Sequence, residues 1–301
     1  MDDLNQNPKL GSADRPNSYI GRSVPRERAK KLLEGKGKYV DDILLPRMVH
    51  LSYVRSPFAH AKIKSINTEN AKKYPGVLNV FTIDDIEKVC TPWQGVLGHL
   101  GEMRSPTQYP LAKDIVRWQG EPVAVVVANK RAVAEDASEL VEIDYEDLDA
   151  QLDMETAMDK STKVIHDDLG NNLFWTRTVN QGDVSEAFKQ SHIVEEVTLD
   201  FARHTGVTLE TRAIVADWNS SEEKMTVYHN GQAPHMMQSI IAKHLNLSEG
   251  LVRIISCDVG GSFGIKVHVY PDEMVTVAVS KLLKRPVKFV ADRLESYSTD
   301  I

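Results

Sequence analysis

Residues 258–266, Asp-Val-Gly-Gly-Ser-Phe-Gly-Ile-Lys, constrain this chain more than any other stretch. Three glycines fall within five residues, interrupted by one bulky aromatic, Phe263. Glycine allows backbone angles and close approaches that other residues avoid, so the segment describes a cradle with one side chain aimed at its contents. Residues 251–256 have the composition of a strand that runs straight into it, and the pattern beyond predicts a helix over 272–283 and a strand over 287–290. A tight bend with a core phenylalanine would satisfy the same residues, and on the segment alone both readings stand. Nucleotide fingerprints fit poorly. A dinucleotide loop needs glycine at positions one, three and six; counting from Gly260 these hold Ser262 and Ile265, and from Gly261 they hold Phe263 and Lys266. The Lys-Ser/Thr pair of a phosphate loop is missing after the required glycine.

Upstream, the text alternates between short strands and helices. Strands are predicted at 48–54 and 61–66 around the turn Ser56-Pro57, then a short helix at 69–74 stopped by Pro75-Gly76, then a strand at 77–82. Residues 90–113, with Pro92, Pro106 and Pro110, lack a period and predict a long excursion. The unbroken apolar run 123–128 predicts a buried strand, followed by a helix at 130–140 and a half-exposed strand at 141–145. Together these predict a compact α+β domain ending near Asp149. A connector at 153–161 with a short helix around Ala157 leads to a second domain. Its predicted strands are 194–201, where Val197, Leu199 and Phe201 alternate with polar residues, 213–218 and 225–229. Pro234 opens a helix that ends near Leu245. Residues 1–19, polar and rich in Asn, Asp and Pro, read as a flexible arm. The expected organisation is therefore an arm at 1–19, one domain at 20–150 and another at 151–301.

Composition narrows the function. At 301 residues, with 42% hydrophobic and 26% charged positions, the chain is ordinary for a soluble globular protein. A formal net charge of -7 argues against a nucleic-acid partner. The basic stretch Arg22 to Lys38, interleaved with Glu27 and Glu34, reads as a solvated helix face. No apolar run reaches membrane-spanning length, and the acidic amino terminus lacks a secretory signal, so a cytoplasmic location is expected. Only Cys90 and Cys257 are present, too few to hold an iron-sulfur cluster and without the spacing of a zinc site or a disulfide framework. No metal-ligand set is expected from this chain.

Several ordered motifs carry a resemblance. Val259-Gly260-Gly261-Ser262-Phe263-Gly264-Ile265-Lys266 resembles the Gly-Gly-Gly-Phe-Gly-Gly-Lys signature of the molybdenum hydroxylases: xanthine dehydrogenases, aldehyde oxidoreductases and aerobic carbon monoxide dehydrogenases. Gly35 to Ile43, Arg55 to Ala61, Tyr74 to Val77, Gly120 to Val126 and Ala134 to Ala137 resemble that family's first domain, an α/β hammerhead. Gly182 to Phe188 and Lys284 to Lys288 resemble its molybdenum-binding domain. The fold the resemblance implies is α+β, a hammerhead at 20–150 followed by the first part of a molybdopterin-binding domain at 151–301.

The resemblance also implies residue roles. Gln232, in His229-Asn230-Gly231-Gln232, matches a glutamine whose amide donates a hydrogen bond towards the metal's oxo group, a donor that steadies negative charge without changing protonation state. Phe263 and Gly264 match residues lining the metal end of the cofactor, and Gly261 shapes its approach. Glu210 matches a glutamate usually followed by proline; here Thr211 follows, and a structural carboxylate bonded to backbone is the expected role. Ser262 and Ile265 replace glycines and should narrow the space near the loop. Val267 stands where xanthine enzymes carry a purine-binding glutamate, which favours aldehyde or carbon monoxide chemistry over purine hydroxylation.

The implied cofactor is a molybdopterin-type molybdenum cofactor in its cytosine dinucleotide form. The implied activity is hydroxylation of an aldehyde-like or other small substrate with water as oxygen source. Electrons would pass to iron-sulfur clusters and FAD on partner subunits. A family large subunit continues well past the match to Asp292–Ser296, so the base glutamate is expected outside these residues and the catalytic base is unassigned here. The chain is expected to be half of a split large subunit or a fragment, paired with a carboxyl-terminal molybdenum-domain polypeptide, and its apolar surface should be partly exposed. The alternative is a non-catalytic assembly or interaction module that keeps the fold but holds no metal. An independent nucleotide-binding protein is a weaker third reading.

Overall fold

The computed structural model describes residues 19, 23–26, 29–95 and 100–301. The expected arm at 1–19 lies, apart from Tyr19, outside the described residues. Residues up to Lys38 form one unit, whose described helix α1 (Ala29–Leu33) buries none of its residues and carries the ion pair Lys30–Glu34 at 3.8 Å. The second unit, Tyr39–Ile301, contains every strand among the described residues.

Its strands are β1 (Val49–Arg55), β2 (Ala61–Asn67), β3 (Val77–Phe81), β4 (Trp93–Gln94), β5 (Thr107–Gln108), β6 (Ile115–Val116), β7 (Pro122–Ala128), β8 (Glu142–Asp147), β9 (Ala213–Asn219), β10 (Lys224–His229), β11 (Val252–Ser256) and β12 (Val287–Val290). The helices are α2 (Glu69–Lys73), α3 (Ile83–Ile86), α4 (Arg131–Ser138), α5 (Val184–Gln190), α6 (Pro234–His244), α7 (Pro271–Leu283) and α8 (Arg293–Thr299). Seven strands form one mixed sheet in the order β11-β10-β9-β12-β1-β7-β3, while β6-β2-β8 and β4-β5 form smaller sheets.

The apolar run of β7 is explained by its two covered faces. Val125 and Val127 join Leu51, Tyr53 and residues of α7 in the main core, whereas Ala124, Val126 and Ala128 pack with Ala134 and Ala137 of α4. A strand covered on both sides has no solvent face on which to place polar residues. β9 divides its side chains in the same way: Ile214 and Ala216 face the main core, and Ala213 and Val215 pack against Val40 and Ile43.

The large sheet runs across position 150. β1 pairs in parallel with β12, Val49 opposite Val287, so strands from both halves of the chain share one ladder.

Two local expectations fail, and one helix was not expected. Residues 194–201 form no strand, and no neighbouring strand bonds to them. The segment around Ala157 is a run of turns, with the Asp153 carboxylate accepting from Glu155 N–H (2.9 Å) and Thr156 Oγ1 (3.0 Å), in place of a helix. Helix α8 was unforeseen, although Asp292 caps it by accepting from Glu295 N–H (2.7 Å) and Glu295 reaches back, an Asp-x-x-Glu pattern visible in the sequence. Among the described residues no helix is long and apolar enough to cross a membrane.

Candidate functional site

β10 and β11 are parallel neighbours, and each runs into a loop and then a helix, β10 into α6 and β11 into α7. Both loops therefore emerge at the carboxyl ends of adjacent parallel strands, where open sheets of this kind leave a crevice for ligands. The first loop carries Gln232 and the second the glycine segment. They are tied directly: the Gln232 N–H donates to the Lys266 carbonyl at 2.9 Å. Gln232, Gly261, Phe263 and Gly264 thus lie on two linked loops, with the Gln232 and Phe263 side chains exposed, the latter at 79%.

The backbone justifies the glycines unequally. Gly261 and Gly264 sit at φ +99° and +98°, which only glycine adopts freely, while Gly260 is required by space: a Cβ there would lie 2.5 Å from Glu210 Cβ. Phe263, at φ +50°, occupies the left-handed region as a non-glycine residue. Such strain persists where the surroundings hold it, and it clusters at ligand sites. Ile265 does not narrow the loop's open face as expected. Its side chain is 3% exposed and turned inward against Gly206.

Glu210 anchors the loop from beneath. Its Oε2 accepts from Gly260 N–H at 2.8 Å and from Lys266 Nζ at 3.1 Å, and its own N–H donates to the Gly260 carbonyl at 3.1 Å. Burial pulls the Lys266 ammonium below its ordinary pKa, and the facing Glu210 only partly offsets this. Two buried polar atoms in this region, Glu210 Oε1 and Ser262 Oγ, have no hydrogen-bond partner among the described residues. The N–H groups of Phe263 and Gly264 also have none among the described residues. Uncharged donors and orphaned oxygens around a glycine cradle suit a large polar cofactor better than an apolar ligand.

A buried ionic cluster, not foreseen from the sequence, connects to the glycine loop through Tyr270. Arg212 Nη1 and Nη2 donate to the two Asp272 oxygens at 2.7 and 3.0 Å, and its Nε donates to Asp300 at 2.7 Å. Arg55 donates to Asp272 Oδ2 (2.8 Å) and to Glu295 Oε1 (2.6 Å). Burial would raise the Asp272 carboxyl, but the two guanidinium groups outweigh it and hold it at about 2. The Arg212 guanidinium also stacks 3.7 Å from the Tyr270 ring centroid, and Tyr270 Oη donates to the Ile265 carbonyl at 2.6 Å. His229 Nε2 meets Glu273 Oε1 at 3.0 Å, and a Cβ on Gly231 would lie 2.3 Å from the His229 ring. The loops that follow β10 and β11 are therefore braced from inside by α7 and its N-cap residue Tyr270.

A separate cleft of about 810 Å³ is lined in part by Glu121, Trp118, His166, Tyr270 and Asp300. Burial pushes the Glu121 carboxyl up to about 7 despite the 2.6 Å bond it accepts from Arg117 N–H. The folded chain holds this proton up to about 7 and the unfolded chain releases it near 4.5, so stability falls as pH rises across that window. Glu121→Gln is expected to stabilise by up to roughly 3 kcal/mol above the window and by nothing below it, measured by urea unfolding at both ends. Equal effects at the two ends would contradict it.

Two family models match. Residues 34–149 match the aldehyde oxidase and xanthine dehydrogenase a/b hammerhead domain, and residues 165–301 match the molybdopterin cofactor-binding domain. The chain is 38% identical over 290 residues to the nicotine 6-hydroxylase large subunit of Paenarthrobacter nicotinovorans, covering 96% of this chain and 35% of that protein. It is 33% identical over 303 residues to the carbon monoxide dehydrogenase large chain of Afipia carboxidovorans, covering 96% and 37%. Among solved structures, quinoline 2-oxidoreductase from Pseudomonas putida 86 superposes with a TM-score of 0.87 at 32% identity, covering 92% of this chain and 35% of that one. The chain spans about a third of the length of these relatives.

Proposed function

Because this chain belongs to the molybdenum hydroxylase family, corresponding to the amino-terminal part of the large molybdenum-binding subunit, we propose that it forms one wall of the cofactor site of an oxidoreductase that hydroxylates a small, uncharged substrate. In this reading residues 20–150 are the hammerhead domain, 151–301 are part of the molybdopterin-binding domain, and the enzyme works in the cytoplasm. The observation that carries it is the bond between Gln232 N–H and the Lys266 carbonyl, which ties the loop that carries Gln232 to the loop that carries Phe263 and Gly264.

A molybdenum cofactor, here of the cytosine dinucleotide type, supplies a centre that accepts two electrons as the substrate carbon gains an oxygen from water. The chain's own part is to bind and orient. The Gln232 amide would donate to an anionic oxygen at the metal end, and the unpartnered N–H groups of Phe263 and Gly264 would approach the same end. The Phe263 ring would exclude water from that side, and the exposed position of Val267 would offer substrate an apolar rather than a charged contact. The general base and the remainder of the pocket would come from the other two-thirds of the large subunit. Electrons would leave to iron-sulfur and FAD subunits. The relatives' names span nicotine, quinoline and carbon monoxide, and an aldehyde-like or similarly small neutral substrate is the class the apolar Val267 favours.

The deciding measurement is molybdenum and pterin content of the protein purified from its source with its bound subunits. Stoichiometric metal is expected. A metal-free complex would leave only a non-catalytic assembly module.

A further inference from the structure

The glycine segment does not hold its own shape. Gly261, Phe263 and Gly264 sit at φ +99°, +50° and +98°, so three of four consecutive residues occupy the left-handed region, and one of them carries a ring. Such a conformation costs energy and persists only where neighbouring groups determine it. Upstream, Glu210 holds Gly260 with two hydrogen bonds. Downstream the hold is a hydroxyl: Tyr270 Oη donates to the Ile265 carbonyl at 2.6 Å, one residue beyond Gly264.

Tyr270 is itself tightly fixed. It is 3% exposed, and its ring centroid lies 3.7 Å from Arg212 Cζ. Its Oη accepts from Ile301 N–H at 3.1 Å, and its backbone N–H donates to Glu273 Oε2 at 3.4 Å where α7 begins. Arg212 is held in turn by Asp272 and Asp300. Burial pushes the Tyr270 hydroxyl up to about 12, so it keeps its proton, and can go on donating, through the neutral range. The buried ionic cluster therefore reaches the backbone of the glycine loop through one hydroxyl that uses both its donor and its acceptor capacity.

We propose that Tyr270 is a positioning residue for the reaction: its bond to the Ile265 carbonyl sets where Phe263 and the Gly264 N–H meet the bound cofactor. The inference rests on the molybdenum hydroxylase reading above. Tyr270 is buried with its hydroxyl turned to the loop backbone, so it acts through the loop. A misplacement of about 1 Å at a reacting centre costs up to roughly 100-fold in rate, so the loss of this bond is expected to be read in turnover. The protein supplies its own control. Tyr53 Oη donates to the Asp272 carbonyl, also at 2.6 Å, and meets Thr276 Oγ1 at 3.1 Å. It makes the same kind of buried bond, to the first turn of α7, but its acceptor lies outside the glycine loop. Replacing either tyrosine by phenylalanine removes one buried hydroxyl and keeps the ring.

The test compares Tyr270→Phe with Tyr53→Phe in the complex purified from its source, matched for molybdenum. Tyr270→Phe is expected to lower kcat about tenfold or more, equally across the pH profile, with KM within about twofold of the parent; Tyr53→Phe should stay within about twofold on both. Hydrogen exchange adds a readout that needs no metal. The Ile265 and Val267 amides donate to the Ser262 and Gly264 carbonyls, and in Tyr270→Phe they should exchange about tenfold or more faster, while in Tyr53→Phe they keep the parent rate. Equal losses of kcat in the two variants, a loss in neither, or unchanged exchange at Ile265 and Val267 would overturn the proposal. A shifted limb of the pH profile would also overturn it, by making Tyr270 a proton-transferring group. Failure of Tyr270→Phe to assemble where Tyr53→Phe assembles would show a hydroxyl needed for folding and would count against positioning. A complex that shows the exchange difference but holds no molybdenum would defeat the cofactor reading and leave Tyr270 as the residue that holds the loop.

Discussion

Arg212→Ala is expected to destabilise the chain by about 3–5 kcal/mol, the cost of leaving buried charges without their partner. The guanidinium is 1% exposed and serves Asp272 with two bonds and Asp300 with one, while Thr299 Oγ1 accepts a fourth at 3.0 Å. Alanine removes all four at once and takes away the plate stacked on Tyr270. Asp272 would keep only Arg55, in a site where water cannot compensate. Arg212→Lys should recover part of the loss, since it restores charge but lacks the planar fork that meets both Asp272 oxygens. The check is urea unfolding as a function of pH. Asp272 titrates near 2 in the folded chain against 3.8 ordinarily, so its contribution is present above 3.8 and is lost as pH falls through about 2. The gap between parent and Arg212→Ala should therefore narrow on acidification. A gap of under about 1 kcal/mol at neutral pH would mean that the cluster is not what holds α7 to the sheet.

Gln232→Ala should lower turnover of the assembled enzyme by roughly 100-fold, the size of effect seen when one preorganised donor to a developing negative charge is removed. The side chain is exposed, and its backbone bond to Lys266 does not depend on the amide, so stability should change by less than about 0.5 kcal/mol. Subunit assembly and metal content should also be preserved. Steady-state kinetics on complexes matched for molybdenum make the comparison. Turnover equal to the parent's would remove Gln232 from the site, and lost metal would make it a binding residue instead.

The legible parts of this protein are those whose cause is local. β7 announces itself by six consecutive apolar residues, 123–128, and α6 by Pro234 with Met237 and Ile241 on its buried face. The glycine segment on its own fitted a cradle and a tight bend equally, and its resemblance, with the ordered motifs around it, named a family that matching domains bear out. Residues 194–201 were read as a strand on equally sound periodicity, and no strand formed. Alternation states which face a segment would bury; it does not provide the neighbour.

Pairings between distant positions were illegible for the same reason. Arg212 meets Asp272 across 60 positions, and Arg55 meets Asp272 across 217 and Glu295 across 240. The motif Arg55 to Ala61 marks the family but does not name the partners of Arg55, because a charge in the sequence looks the same whether it will be solvated or neutralised. The sequence by itself determined which segments prefer strand or helix, which residues can line a close-approach loop, and the family to which these motifs belong. Only the tertiary structure decided that β1 and β12 lie side by side, that Gln232 and Lys266 are bonded, and that a buried ionic cluster connects to the glycine loop through Tyr270. Local preferences follow from each residue's own sterics and polarity, whereas a hydrogen bond or an ion pair exists only once folding has brought its two ends together and removed the water between them.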